Sequence, residues 1–214
     1  MQRLNELFAA GGIIMLPLIG FSIAVLALAV ERFVFWYRVK RRQHKVIQEV
    51  LKLYAYDNEL AIEKLKRNLD LPAARIFLEA LSLKEANPEE FRLALDGAIQ
   101  AELPLLKRFA PIFETVVGLA PLLGLLGTIM GLIRSFSSLN LGEIGGTKTL
   151  GVTAGISEAL IATATGLVVA VIALLLANTF RAFYQRQLGL IEEYSVQLEL
   201  LHRRAHRGVE PSYA

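Results

Sequence analysis

The sequence has 214 residues, 54% of them hydrophobic and only 20% charged, and its mean hydropathy is positive. A soluble domain of this size carries about 25% charged residues, and here the surplus apolar residues gather in three runs, as in a chain that crosses a bilayer. That pattern excludes a soluble enzyme, and no catalytic residues are expected. The net charge is only +3, with the basic residues clustered beside the apolar runs, which suits membrane orientation and argues against nucleic-acid binding. Cysteine is absent, which excludes disulfides, thiol nucleophiles and thiolate metal sites. His44, His202 and His206 fall outside the apolar runs, and none is set among carboxylates as a metal ligand would be. Neither metal nor cofactor is expected.

The first run goes from Leu7 to Val30 without a charge, long enough for a spanning helix of about 20 residues. Trp36 and Tyr37, beyond Glu31 and Arg32, have the place of an interfacial aromatic belt. A cleavable signal peptide is the competing reading, since Ala27-Leu28-Ala29 resembles a cleavage site. The charges oppose it, because Arg38, Lys40, Arg41, Arg42 and Lys45 follow the run while only Arg3 precedes it. Residues 1–37 are therefore expected to form an N-terminal segment and retained span, with the N terminus outside and residue 38 onward in the cytoplasm.

Residues 38–108 are charged and amphipathic, without strand-like alternation, and predict a cytoplasmic helical domain with no chemistry of its own. Asp57 can cap a helix through Leu69. Asn87-Pro88-Glu89-Glu90 is a stronger start signal: a cap residue, proline at the first helical position, and glutamate three residues after the cap. Pro72 and Pro104 punctuate the stretch.

The second span is expected at 109–134, containing nineteen uncharged residues from Thr115 to Ile133 and an internal Pro121, which membrane helices tolerate. A polar, nearly neutral loop at 135–148 reads as periplasmic. The third span, 149–180, is interrupted only by Glu158. Arg181, Arg186, Arg203, Arg204 and Arg207 follow it, so 181–214 is expected to be a cytoplasmic C-terminal helix and tail. A helix from Thr149 to about His202 would be roughly 80 Å long, far beyond a hydrocarbon core of about 30 Å.

On a helical wheel the third span has a small-residue side, with Gly155, Ala159, Ala162, Thr163, Gly166, Ala170, Ala173 and Ala177. Leu160, Ile161, Leu167, Val168, Val171, Ile172 and Leu175 lie opposite. Small residues let membrane helices approach closely, so one side faces helices and the other lipid. The second span repeats the device with Gly124, Gly127 and Gly131. Two such faces in three spans predict tight packing, expected between subunits of a homo-oligomer.

Glu158 is the deepest ionisable group, and an acid within a span is a functional hypothesis by default; the bland reading places it near the outer interface. It shares a helix side with Thr165, while Thr163 points along the small-residue face. Thr128 stands mid-span beside Gly127. Each threonine could equally bond its own helix carbonyl one turn back. No span holds an aspartate or histidine, so a proton relay here would need a carrier acid from another chain.

Two segments resemble the MotA/TolQ/ExbB proton channel family. Leu122-Leu123-Gly124-Leu125-Leu126-Gly127-Thr128-Ile129-Met130-Gly131-Leu132 is similar to its second-span signature. The third-span signature resembles Gly155-Ile156-Ser157-Glu158-Ala159-Leu160-Ile161-Ala162-Thr163-Ala164-Thr165-Gly166-Leu167-Val168-Val169-Ala170. Three spans and this length resemble the ExbB/TolQ branch more than the four-span flagellar stator branch. The resemblance implies an all-α integral membrane protein forming a homopentameric pore in the bacterial inner membrane. Inside it would stand two single-span helices of an ExbD- or TolR-like partner carrying a membrane aspartate. Proton flow would drive work on a TonB- or TolA-like protein reaching the outer membrane. Thr128 and Thr163 match the family's pore-facing threonines, and Glu158 matches its third-span acid; Thr165 completes the expected proton-pathway set. Ile172 stands where the family often has proline, which implies a straighter third helix.

Three classes of function remain open: a proton-channel motor subunit, a membrane scaffold that conducts nothing, and a small transporter binding substrate at Glu158. The transporter lacks the repeated broken helices such proteins show. Within the motor class, an ExbB role in energised transport is preferred to a TolQ role in envelope integrity and cell division. Membrane lipids are expected partners in every case.

Overall fold

The computed structural model describes residues 12–83, 86–137 and 147–206, with residues 147–150 described by backbone alone. Every regular element among them is a helix: α1 Met15–Tyr54, α2 Asn58–Lys66, α3 Pro72–Leu81, α4 Pro88–Leu106, α5 Ala110–Ser137 and α6 Thr147–His206. The protein is all-α, and α1, α5 and α6 include the three stretches long and apolar enough to cross a membrane. The N-terminal residues 1–11, most of the expected periplasmic loop (138–146) and the C-terminal tail from 207 lie outside the described residues.

The chain divides into two compact units. One comprises residues 1–31 and 109–180, the other residues 32–108 and 181–214.

In the first unit the helix wheel is realised in burial. Ala159, Ala162, Ala170 and Ala173 of α6 are buried, while Leu160, Leu167, Val168, Val171, Ile172 and Leu175 are exposed. The facing stripe on α5 is Val116, Ala120, Gly124, Gly127, Gly131 and Ser135, spaced by three or four residues so that all lie on one side. Small residues at these positions bring the backbones into contact. A Cβ on Gly131 would lie 2.6 Å from the Gly155 carbonyl oxygen, and one on Gly166 would lie 2.5 Å from that of Ala120. A Cβ on Gly124 would come within 3.1 Å of the Thr163 Cα, and one on Gly127 would overlap the Ala162 methyl. These residues, expected to pack between subunits, thus meet within one chain. Pro121 sits inside α5 without ending it.

The second unit is built on heptad-like stripes of α1 and α6. Trp36, Val39, Gln43, Ile47 and Val50 are buried on one helix, and Gln187, Ile191, Tyr194 and Leu198 on the other. Trp36, expected in an aromatic belt, is only 6% exposed, whereas its neighbour Tyr37 is 66% exposed. The buried indole packs edge-on against Phe35 at 5.1 Å and tilted against Phe183 at 6.3 Å.

The short helices start where cap chemistry dictates. The Asp57 carboxylate accepts from the Glu59 and Leu60 amides at the start of α2. Asn87 and Glu90 form a complete capping box at the start of α4, with Pro88 behind the cap. Helix α3 packs on α2 and α4, pinned by Arg75, whose Nε lies 3.0 and 3.1 Å from the two Glu102 carboxylate oxygens. Between α4 and α5, Phe109 adopts φ 70°, a left-handed conformation that costs a bulky residue roughly 1–2 kcal/mol.

Candidate functional site

The close approach of α5 and α6 places two threonine hydroxyls against each other. Thr128 and Thr163 hydrogen-bond through their Oγ1 atoms. Both also reach one backbone acceptor, the Gly124 carbonyl oxygen, at 3.2 Å from Thr128 and 3.0 Å from Thr163. Gly124 makes this possible, because a side chain there would push against Thr163. Each hydroxyl has one hydrogen to donate, so two hydrogens serve three contacts. Either hydroxyl can donate to the carbonyl while accepting from the other, and the two arrangements interconvert by rotating two hydroxyls. Thr128 therefore combines the local bond one turn back with a bond across the helix interface. The Thr163 hydroxyl, among the described residues, bonds across the helix interface to Thr128 and to the Gly124 carbonyl.

Thr165 is different. Its hydroxyl donates to the Ile161 carbonyl at 2.8 Å, the ordinary intrahelical bond of a membrane threonine. The residue lines a largely apolar cavity of about 440 Å³ with Leu18, Ser22 and Val168. It is not brought to the Thr128–Thr163 pair.

Glu158 lies in neither environment. Its carboxylate accepts from Arg134 Nη1 at 2.5 Å, with the glutamate side chain 16% exposed and the arginine 51%. Gly12 abuts the same carboxylate so closely that a Cβ there would coincide with it, and Gly12 has φ +68°, a conformation glycine adopts without strain. Glu158 is thus an acid with a fixed cationic partner. Beside it, the buried Ser135 hydroxyl donates to the Val152 carbonyl at 3.1 Å, closing the helix pair at that end.

Sequence reasoning missed Arg134 and Gly12. A signal was available: Gly124 meets Gly166, Gly127 meets Ala162, and Gly131 meets Gly155 and Ala159, so the two small-residue ladders align antiparallel in one register. Sliding one ladder along the other brings Thr128 to Thr163 and Arg134 to Glu158 together.

The second unit holds a separate polar group. His202 Nε2 lies 3.0 Å from the Ala86 carbonyl oxygen, which requires that nitrogen to donate. Nδ1 pairs with the Tyr54 hydroxyl at 2.7 Å. The ring stacks on Phe91 at 4.0 Å, and burial pushes the Tyr54 hydroxyl up to about 12. His44 Nδ1 pairs with the Tyr194 hydroxyl at 2.8 Å. These are satisfied structural pairs. Among the described residues no group of three or more His, Asp or Glu side chains could hold a metal ion.

Comparison with known proteins agrees with this architecture. The chain is 57% identical to the biopolymer transport protein ExbB-like 3 of Synechocystis sp. over 197 residues, 92% of this chain and 94% of that one. It is 38% identical to ExbB-like 1 of the same organism over 94% of this chain and 80% of that protein. It is also 33% identical to the Tol-Pal system protein TolQ of Haemophilus influenzae, over 60% of this chain and 59% of that one. With its three candidate spans, this is a multi-pass membrane protein. Residues 68–193, more than half the chain and including both hydroxyls of the threonine pair, match the description MotA/TolQ/ExbB proton channel family, and the chain belongs to that family.

Proposed function

We propose that this protein is the proton-channel motor subunit of an ExbB- or TolQ-like complex. In this reading it sits in the bacterial inner membrane as a homopentamer, N terminus periplasmic and C terminus cytoplasmic. It works with an ExbD- or TolR-like single-span partner and passes work to a TonB- or TolA-like protein. The observation that carries the proposal is the Thr128–Thr163 pair sharing the Gly124 carbonyl. A hydroxyl does not titrate near neutral pH, but it can accept a hydrogen bond while donating its own hydrogen. Two such groups with two interchangeable arrangements suit a relay handing a proton to or from a carboxylate that moves past them.

No aspartate or histidine lies in the spans, and Glu158 is held by Arg134. The titrating acid is therefore assigned to the partner, and Glu158 acts as a fixed negative charge that locks α5 to α6. Thr165, bonded to its own helix, contributes to the lining of the apolar cavity and not to the relay. The ExbB role is favoured over TolQ because relatives that match over nearly the whole chain carry ExbB-like names.

The test is proton flux into liposomes holding this protein with its single-span partner, followed with a pH-sensitive dye. Thr163→Val and Thr128→Val should each lower partner-dependent flux sharply while the complex still assembles, and Thr165→Val should leave it near wild type. Undiminished flux in both the Thr128 and Thr163 variants would remove the relay and leave the scaffold reading.

A further inference from the structure

Within the second unit, α1 and α6 enclose a cavity of about 490 Å³ whose wall is chemically divided. Phe33, Trp36, Tyr37 and Phe183 supply aromatic surface, and Lys40 and Arg186 supply two exposed cations. Nothing in the proposed relay uses it. Its place along the chain is informative. On α1 the aromatic part begins three residues after Val30, where the uncharged run ends, and Lys40 lies two turns further on. On α6, Phe183 and Arg186 lie three and six residues after Phe180, the last residue of the apolar third run. Among the lining residues, both helices place aromatic side chains nearer the apolar run and the cation further on, the order found at a membrane–water boundary.

The lining carries two cations, and no acidic residue belongs to it. It fits an amphipathic ligand with an anionic end and an apolar end. Basic pockets between membrane helices hold lipid headgroups in this way.

We propose that this cavity is a binding site for an anionic phospholipid, with its phosphate between Lys40 and Arg186 and its upper acyl chain against the aromatic residues. The site selects lipid by charge and tethers α1 to α6 at the point where both leave the bilayer.

Trp36 is the only tryptophan of the chain, so its fluorescence reports on the site directly. The full-length protein is reconstituted into phosphatidylcholine vesicles containing either brominated phosphatidylglycerol or brominated phosphatidylcholine, and quenching is compared. Each cation near the surface contributes about fivefold to anionic-lipid affinity, less screening, so a preference on the order of tenfold for phosphatidylglycerol is expected. Lys40→Gln with Arg186→Gln should reduce it to about one, while Arg41→Gln, an exposed basic residue outside the cavity, should leave it in place. Soluble glycerol phosphate should fail to relieve the quenching, since the apolar end supplies part of the affinity. Equal quenching by the two lipids would overturn the proposal, as would no quenching by either because a second copy covers the site. Relief by glycerol phosphate, or a preference surviving the double substitution, would do the same.

Discussion

Gly131→Ala tests whether the α5–α6 contact is as close as the backbone geometry requires. The added Cβ would meet the Gly155 carbonyl oxygen at 2.6 Å, the Ala159 methyl at 2.8 Å and the Ala159 amide nitrogen at 2.9 Å, where ordinary contact begins at 3.4 Å. Two of the three obstacles are backbone, so no side-chain rotation relieves them, and the helices must part by roughly 0.8 Å. Overpacking of this kind costs about 1–3 kcal/mol. Gly→Ala also raises helix propensity by about 1 kcal/mol, which would blur a single measurement. Gly118→Ala on the same helix isolates the packing cost, because nothing lies within 4 Å of its Cβ, and the propensity gain is common to both. Reversible unfolding in detergent, followed by far-UV circular dichroism, should show Gly131→Ala less stable than Gly118→Ala by about 1–3 kcal/mol. A difference of only a few tenths would refute the close intrachain contact and return these glycines to an interface between subunits.

Three further outcomes follow from individual contacts. Arg134→Gln leaves the mostly buried Glu158 carboxylate without its cation, whereas Glu158→Gln leaves an arginine that is half exposed. The first should cost about 2 kcal/mol of unfolding free energy, the second clearly less, and the double variant should recover part of the loss. Tyr54 is held protonated by burial up to about 12, against about 10 when unfolded. Its raised folded value gives stability that is complete below pH 10 and disappears as pH climbs toward 12. Thermal melts across that range should fall less steeply for Tyr54→Phe than for wild type. Asn87→Ala removes the side-chain half of the α4 capping box and leaves the Asn87 backbone N–H donating to Glu90; it should lower stability by about 1 kcal/mol, read as a lower denaturant midpoint with unchanged slope.

Local signals were legible in the sequence because their causes are local. The Asn87 capping box and the Asp57 cap depend on residues within one turn, and both stand as the spacing indicates. The wheel of α6 is equally local: a period of 3.6 separates Ala159, Ala162 and Ala173 from Leu160, Leu167 and Leu175, and burial follows it. Trp36 was not legible in this way. Aromatic residues after an apolar run fit either an interfacial belt or a buried stripe, and what decides is the partner helix. Phe183, 147 positions further along the chain, covers Trp36 while Tyr37 remains outside.

The same distinction governs the candidate site. A threonine in a membrane helix has a local solution, and Thr165 takes it. Thr163 does not, because the approach of Gly124 puts a second helix's carbonyl within 3.0 Å and the Thr128 hydroxyl beside it. Glu158 changes meaning for the same reason. Alone on its helix it is an unpaired acid and invites a role in carrying protons; across the interface it is half of an ion pair. Both outcomes hang on one quantity, the register of α5 against α6, and that register is set by residues with almost no side chain. Glycine and alanine carry no chemistry, but their spacing on the two helices determines which polar groups meet. In the proposed relay, glycines 124, 127 and 131 are therefore as necessary as the threonines, since a shift of one turn would part the two hydroxyls and separate Arg134 from Glu158.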